Sequence, residues 1–310
     1  MYKYRFSIFT ATFNRAELLL PLAQCVEHQT YRGGYEWIIV SDGSTDNTAA
    51  VVSKIKENTA ITIKFVDSKE NKGKHAAWRE ATKLFEGQYV VTCDDDDPVS
   101  LEMLEIFDRY WKMLEQSPDY NQFWEVRARC QYEDGRLVGP KLPSPWLDSD
   151  YNEVTFKMGK GCEMDSCRKV EVLRAEAAVP DSFLFEDKCS NYGELLRWSK
   201  AARKYKSRFV PDIVRTYVIG HNSLCTTVKG GTPSTKKIYN SLVGALYSLN
   251  ECGDLLKKYQ LRQYLFTILT LSYSAVRVKE PVTKYLNSNL DKALTFFAYI
   301  PAYAIYAFRK

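Results

Sequence analysis

The first hundred residues alternate, with almost no linker, between short runs rich in β-branched and aromatic side chains and longer segments with helical apolar spacing. "YRFSIFTATF" (4–13), "YEWIIVSDGS" (35–44), "ITIKFVDS" (61–68) and "QYVVTC" (88–93) read as strands. Between them, "NRAELLLPLAQCVEHQ" (14–29), "STDNTAAVVSKIKEN" (44–58) and "KGKHAAWREATKLFEG" (72–87) read as helices. Asn14 is placed to cap the first helix, and Ser44 or Thr45 the second. Strands alternating with helices require crossovers, so the expected fold class is α/β with a Rossmann-like, mostly parallel central sheet flanked by helices.

In such sheets, ligands bind beyond the carboxyl ends of the strands. The polar clusters fall there: Thr12 and Asn14 after the first strand, Asp42 after the second, and Asp94, Asp95, Asp96 and Asp97 after the fourth. There is no G-x-x-x-x-G-K-[ST] and no G-x-G-x-x-G after the first strand, which argues against a P-loop enzyme or a dinucleotide-dependent oxidoreductase. Four consecutive aspartates are costly, since a unit-charge pair at about 4 Å repels by roughly 1 kcal/mol in water and about 4 near a protein surface. Either the run splays into solvent as a turn, or positive charge sits among the carboxylates. In an extended segment, positions two apart share a side, so Asp94 and Asp96 converge while Asp95 and Asp97 face away. A hard divalent cation suits such a pair of oxygen ligands.

After residue 100 the pattern loosens. "SLEMLEIFDRYWKMLEQ" (100–116) reads as a helix capped by Ser100, and "QFWEVRARCQYEDGRLVG" (122–139) as a hairpin turning at Glu133–Gly135. Residues 140–166 read as loop, "CRKVEVLRAE" (167–176) and "YGELLRWSKAARKYK" (192–206) as helices, and "SRFVPDIVRTYVIG" (207–220) as a strand pair or a strand and loop. From about 235 the chain reads as helical.

The ordered motifs resemble those of the family 2 glycosyltransferases of the GT-A fold, of the bacterial polysaccharide-biosynthesis type. "ATFNR" (11–15) resembles the family's P-T-Y-N-R, with Ala11 and Phe13 as departures. "IIVSDGSTDNT" (38–48) resembles V-D-D-G-S-T-D-x-T, with Ser41 for the first aspartate. "NKGKHAAWREATKLFEGQYVV" (71–91) resembles the following N-x-G segment, with Arg79 for the usual Asn, and "CDDDD" (93–97) resembles D-x-D-D.

The resemblance covers roughly residues 5–225 and implies inverting transfer of a sugar from a nucleotide-diphosphate donor to a hydroxyl of a glycan or lipid-linked acceptor. It implies a divalent metal, Mn2+ or Mg2+, and a UDP-sugar donor. Donor contacts then fall on Ala11, Thr12, Asn14, Arg15, Asp42, Gly73, Lys74, Asp94 and Asp95, with Asp42 accepting from the base ring. Metal ligands fall on Asp94, Asp96 and His221. Asp46 reads differently, as a carboxylate serving its own helix start. Lys74 and His75 open the third helix; Lys74 suits a diphosphate or solvent, and His75 the core.

Inversion needs a carboxylate that takes the acceptor's proton. The family's E-D-x-x-L-W offers two candidates. Glu194 in "GELLRWSKAARKY" has Trp four residues on, and Asp187 has the letters of "FED" (185–187). Trp124, Trp146 and Trp198 suit the core or a sugar face. Other classes remain open: a non-catalytic nucleotide-sugar or cation-binding protein of the same fold, and a haloacid-type phosphatase. The phosphatase motif follows a first strand, whereas four strands precede this one.

The remainder bounds the setting. A net charge of +5 does not argue for nucleic acid. Eight cysteines lack any C-x-x-C pair and read as reduced and structural. The expected arrangement is a glycosyltransferase domain over 1–230, with a nucleotide-sugar half (1–100) and an acceptor half (101–230), then a helical C-terminal extension over 231–310. Residues 251–310 carry nine basic and four acidic residues, and "ALTFFAYIPAYAIYAF" (293–308) carries no charge. As a helix that stretch spans roughly 24 Å, short of the ~30 Å hydrocarbon core, and Pro301 interrupts it. It therefore suits a membrane interface or a homodimer contact rather than a span. The expected localisation is cytoplasmic, peripheral on the inner face of the cell membrane through 286–310.

Overall fold

The computed structural model describes residues 2–139, 142, 145–158, 164–189, 193–218 and 234–308. The chain divides into two compact units, Met1–Val179 with Ala201–Thr227, and Pro180–Lys200 with Val228–Lys310. Residues 180–200, expected with the acceptor half, thus cluster with the C-terminal helices.

The first unit is built on one eight-stranded sheet: β1 Tyr4–Thr12, β2 Tyr35–Ser41, β3 Thr62–Asp67, β4 Gly87–Thr92, β5 Phe123–Tyr132, β6 Leu147–Ser149, β7 Met164–Lys169 and β8 Lys206–Tyr217. The strand order is β3-β2-β1-β4-β7-β5-β8-β6. The pairings among β3, β2, β1 and β4 are parallel, as the βαβ reading requires. β7 then pairs antiparallel with both β4 and β5, β8 runs parallel to β5, and β6 antiparallel to β8. The sheet is parallel where the nucleotide half was expected and mixed beyond it.

Helices α1 Leu19–Glu27, α2 Thr48–Asn58 and α3 Lys74–Leu84 make the crossovers, and α4 Met103–Glu115 follows β4. Alternate residues of β1 serve opposite faces. Phe6 and Ile8 join Trp37, Ile39, Leu19, Val26, Phe107 and Trp111 in the principal core. Phe9, on the other face, packs on Trp78 of α3, ring centroids 4.6 Å apart. Each fully buried side chain of this size contributes about 1.5–3 kcal/mol, so covering both faces fixes the level of the strand ends.

β7 was expected as loop running into helix. Its six residues "MDSCRK" are all buried although four are polar. Each charge is matched by a partner: Arg168 Nε lies 3.1 Å from Glu125 Oε2, Lys169 Nζ donates to the Tyr120 carbonyl at 2.9 Å, and Asp165 Oδ1 meets Arg215 Nε at 3.2 Å. The expected hairpin turn at Glu133–Gly135 is present but its second arm is short: the Gly135 amide donates to the Tyr132 carbonyl at 2.9 Å, Tyr132 N to the Arg136 carbonyl at 2.8 Å and Val138 N to the Cys130 carbonyl at 3.0 Å, with an antiparallel bridge from Gln131 to Leu137. Two short helices, α5 Tyr151–Met158 and α6 Val170–Glu176, complete this unit.

The second unit is helical: α7 Glu194–Ala201 (whose last residue clusters with the first unit), α8 Thr235–Tyr259, α9 Leu261–Val278 and α10 Asn289–Phe308. Pro301 does not interrupt α10. It is exposed there, so the carbonyl it leaves unbonded one turn earlier can turn to water. Among the described residues, no helix is long and apolar enough to cross a membrane. The six described cysteines are free; Cys162 and Cys225 lie outside the described residues.

Candidate active site

The strand order puts the ends of β2, β1 and β4 side by side. Asp42 N donates to the Thr12 carbonyl at 2.9 Å, and Cys93 N to the Phe9 carbonyl at 2.9 Å. The loops after β1 and β2 are laced together. Asn14 takes a left-handed backbone (φ +52°), and its Oδ1 accepts from the Thr45 amide at 2.7 Å. Its own amide donates to Ser44 Oγ at 3.0 Å. Asn14 therefore does not cap α1, nor do Ser44 or Thr45 cap α2. Asp46 serves the start of α2, accepting from the Thr48 amide and hydroxyl, and its other oxygen takes the Ala16 amide at 3.1 Å.

Asp42 is buried, and both its oxygens are engaged by the loop before α3. Oδ1 accepts from the Lys72 amide at 2.9 Å and Oδ2 from the Gly73 amide at 2.7 Å. Gly73 holds φ +93°, a conformation that glycine adopts without steric cost. Gly43, at φ +75°, also needs to be glycine, because a Cβ there would come within 2.5 Å of the Asn71 amide nitrogen. Asp42 thus fastens the β2 end to the Gly73 turn while retaining lone pairs.

The aspartate run is a turn rather than extended strand. It still alternates in exposure: the side chains of Asp94 and Asp96 are 35% and 34% exposed, those of Asp95 and Asp97 6% each. The turn gives the two outward carboxylates different cations. Asp94 Oδ1 lies 2.7 Å from Lys74 Nζ and its Oδ2 3.2 Å from Arg215 Nη1. Asp96 Oδ2 lies 2.8 Å from Arg15 Nη1, which also reaches Asp95 Oδ1 at 2.9 Å. Asp97 Oδ2 meets Arg215 Nη1 at 3.1 Å, and its Oδ1 accepts from the Val218 amide at 3.1 Å.

The electrostatics follow from burial and partners. Lys74, with Arg215 behind it, holds Asp94 down at about 2 despite the opposing effect of burial. Burial pushes Asp97 up to about 6, against the pull of Arg215 and the Val218 amide. Burial also raises Asp95, with Thr12 and Arg15 opposing. Arg215 is itself buried, which works against its charge, yet Asp165, Asp94 and Asp97 keep it firmly protonated.

Arg215 is the residue that sequence reasoning missed. It reaches the turn because residues 98–100 are stitched to β8, with Thr216 N on the Pro98 carbonyl at 2.9 Å and Ser100 N on Val214 at 2.8 Å. Its only signal in the sequence is an arginine within the apolar run "DIVRTY" (212–217). In these contacts, three cations (Arg15, Lys74, Arg215) face five carboxylates (Asp94, Asp95, Asp96, Asp97, Asp165).

Among the described residues, no three acidic, histidine or cysteine side chains are grouped to hold a metal ion unaided. A cation that keeps its waters and takes phosphate oxygens needs only one or two protein carboxylates. The outward Asp94 and Asp96 fit that donor set. His221 lies outside the described residues. His75 is buried, in line with its core reading. Ala11 and Thr12 close β1 beside this turn.

Asp187 and Glu194 belong to the second unit. Asp187 sits exposed in the short 3-10 turn Glu186–Lys188, and Glu194 is the first residue of α7. Trp124 and Trp198 are buried, and Trp146 packs edge-on to Tyr110 beneath Arg208, so all three serve packing.

Residues 7–115, which hold both laced loops and the aspartate turn, match the family model described as glycosyl transferase family 2. The match is confined to that region of the 310-residue chain. Over 61 residues the chain is 46% identical to the poly-β-1,6-N-acetyl-D-glucosamine synthase of Staphylococcus aureus, covering 20% of this chain and 14% of the synthase. Over 103 residues it is 31% identical to an N-acetylglucosaminyltransferase of Azorhizobium caulinodans, covering 32% of this chain and 25% of that protein. The matches thus span a quarter or less of these relatives.

Solved structures extend the likeness of fold to the whole chain. Residues 1–349 of S. aureus TarS, in complex with UDP, superpose with a TM-score of 0.61 at 15% identity, covering 99% of this chain and 92% of that one. The mannosyltransferase PcManGT of Pyrobaculum calidifontis, in complex with GDP-Man and Mn2+, gives 0.55 at 16% identity, covering 97% and 81%. The chain therefore has the fold of these proteins, the GT-A fold.

Proposed function

We propose that the chain is an inverting, metal-dependent glycosyltransferase that moves a sugar from a UDP-sugar to a hydroxyl of a glycan or lipid-linked saccharide. The observation that carries this reading is the aspartate turn after β4, with the carboxylates of Asp94 and Asp96 turned outward and those of Asp95 and Asp97 inward, in the same sheet as Asp42 at the end of β2. The named relatives that transfer or polymerise N-acetylglucosamine, and TarS with its UDP, support a uridine donor. The mannosyltransferase with Mn2+ supports a divalent cation.

Each residue has a part in the mechanism. Asp94 and Asp96 would hold the cation, which would supply charge neutralisation for the leaving diphosphate. Lys74, at the start of α3, gains a second anionic partner when phosphate arrives, at the helix end where backbone amides and the dipole also favour it. Asp42 offers its remaining lone pairs to the base, and Asp95 orients the sugar. Arg15 and Arg215 hold the carboxylates in place. A carboxylate, Glu194 or Asp187, takes the proton of the acceptor hydroxyl as it attacks the anomeric carbon from the face opposite the diphosphate.

A thermal-shift panel of nucleotide sugars, with and without Mn2+, combined with a transfer assay tests this. Stabilisation by one uridine sugar that requires Mn2+ and is lost in Asp96→Ala, together with sugar transfer, is expected. Binding without transfer or donor hydrolysis under any acceptor would mark a non-catalytic binding protein.

A further inference from the structure

The α9–α10 pair carries an apolar surface that the chemistry above does not use. On α10, Phe296 (66% exposed), Phe297 (65%), Ile300 (74%) and Tyr303 (60%) are linked by three- and four-residue intervals and so share a helix face, and Phe308 (90%) follows in the last turn. No charged residue occurs between Ala293 and Phe308. On α9, Leu261, Leu265 and Phe266 are exposed in the first turns, with Arg262 among them, and Arg277 lies over the Tyr273 ring in the last turn. An ordinary monomer surface scatters its exposed apolar residues singly.

The charges of this unit are sorted in a way that identifies the occupant. Three of its acids are turned inward or engaged. Asp291 is 1% exposed, accepting from Tyr264 Oη and pairing with Lys257 at 3.0 Å. Glu280 binds Lys188 and Tyr239, and Glu251 pairs with Lys200 at 3.5 Å. Lys258, Arg262, Lys279 and Lys284 are exposed, with Asp254 the exposed acid between α8 and α10. Across α8 to α10 the exposed charge is thus mostly basic, although Asp181 and Asp187 elsewhere in the unit are also exposed. Phenylalanine, tyrosine and isoleucine on one face, with long basic side chains at its margin, match the boundary between acyl chains and anionic headgroups.

We propose that α9 and α10 dock this unit onto an anionic phospholipid surface, lying in the interface with Phe296, Phe297 and Ile300 inserted and Arg262 among the headgroups. A surface anchor of this kind gives reversible attachment rather than a span, consistent with the length of α10.

The test is co-sedimentation of the full chain with phosphatidylcholine vesicles and with vesicles containing phosphatidylglycerol. Binding is expected to the anionic vesicles, weakening with salt. The Arg262→Glu variant is expected to bind roughly thirtyfold more weakly, from about 1 kcal/mol per charge at the surface and a two-charge change. The Phe296→Ser, Phe297→Ser, Ile300→Ser triple variant should lose binding altogether while keeping the wild-type melting temperature, because these side chains are exposed. A Phe296→Trp variant read with brominated lipid should show quenching above the wild-type background, which does not depend on the triple variant folding. No binding to either vesicle type would overturn the proposal. So would a homodimer, seen by light scattering, that the triple variant dissociates without any vesicle binding by the wild type. None of these readouts needs donor or turnover, so their failure is separate from failure of the glycosyltransferase reading.

Discussion

One nitrogen of Arg15 bridges two consecutive carboxylates, 2.9 Å from Asp95 Oδ1 and 2.8 Å from Asp96 Oδ2. The guanidinium comes from the loop after β1 and the carboxylates from the turn after β4, so this contact fixes the spacing of two neighbouring strand ends. It also relieves the repulsion that four adjacent aspartates would otherwise suffer. Replacing Arg15 with Gln removes the charge and leaves Asp95, which is 6% exposed, without that partner. The expected cost is about 2 kcal/mol of stability, read from urea unfolding without metal. Mn2+ should restore more of the melting temperature in the variant than in the wild type, since a cation can replace the lost charge. Identical Mn2+ responses would remove Arg15 from the electrostatic role.

Asp97 sets a pH dependence. Burial raises its carboxyl from 3.8 to about 6, so the folded chain holds a proton there that the unfolded chain has released. The stabilising contribution of that proton is complete below pH 3.8 and fades as pH rises through about 6. Asp97→Asn cannot ionise, and its side-chain oxygen can still accept from the Val218 amide. Arg215 keeps Asp94 and Asp165. Relative to the wild type, the variant should gain stability between pH 4 and pH 8, by at most about 3 kcal/mol. Urea midpoints at the two pH values decide it, and a pH-independent difference would show that Asp97 is ionised throughout.

How much of this was legible from residues alone differs by type of signal. The parallel half of the sheet was readable because β1, β2 and β4 are rich in β-branched and aromatic side chains and separated by helical spacing. Asp42 and the aspartate run were readable because the α/β rule places polar strand ends at a site. β7 was not, since a strand of buried Asp, Ser, Arg and Lys has neither alternation nor β-branched residues. Its partners, Glu125, Tyr120 and Arg215, are distant in sequence. Arg215 was hidden for the same reason, its role depending on the stitching of 98–100 to β8. Asn14 was misassigned because a cap and a loop lace use the same side-chain oxygen.

Glu125 makes the polar core of the mixed half testable. Fully buried, it accepts from Arg168 Nε at 3.1 Å, Arg127 Nη1 at 3.3 Å and Ser207 Oγ at 2.6 Å, joining β7, β5 and β8. Glu125→Ala leaves two buried guanidinium groups facing an uncharged hole. The expected loss is about 3–5 kcal/mol, enough to threaten a domain of ordinary stability. Glu125→Gln, which keeps one acceptor oxygen and the volume, should cost less. Equal midpoints for the alanine variant and the wild type would mean the arginines find other partners.

The last prediction concerns the proton acceptor. Glu194 opens α7, where the helix dipole favours a carboxylate and helps keep it ionised; Asp187 sits in an exposed 3-10 turn. Removing a general base lowers turnover by roughly 10²–10⁴ without touching donor contacts. Glu194→Gln should therefore cut kcat by that factor while the Mn2+-dependent thermal shift by the donor stays unchanged, and Asp187→Asn should leave turnover within a few-fold of the wild type. The unaltered thermal shift separates a lost base from a lost donor site. If turnover survives in Glu194→Gln and collapses in Asp187→Asn, the base is Asp187, and the "FED" segment carries the chemistry that α7 was assigned.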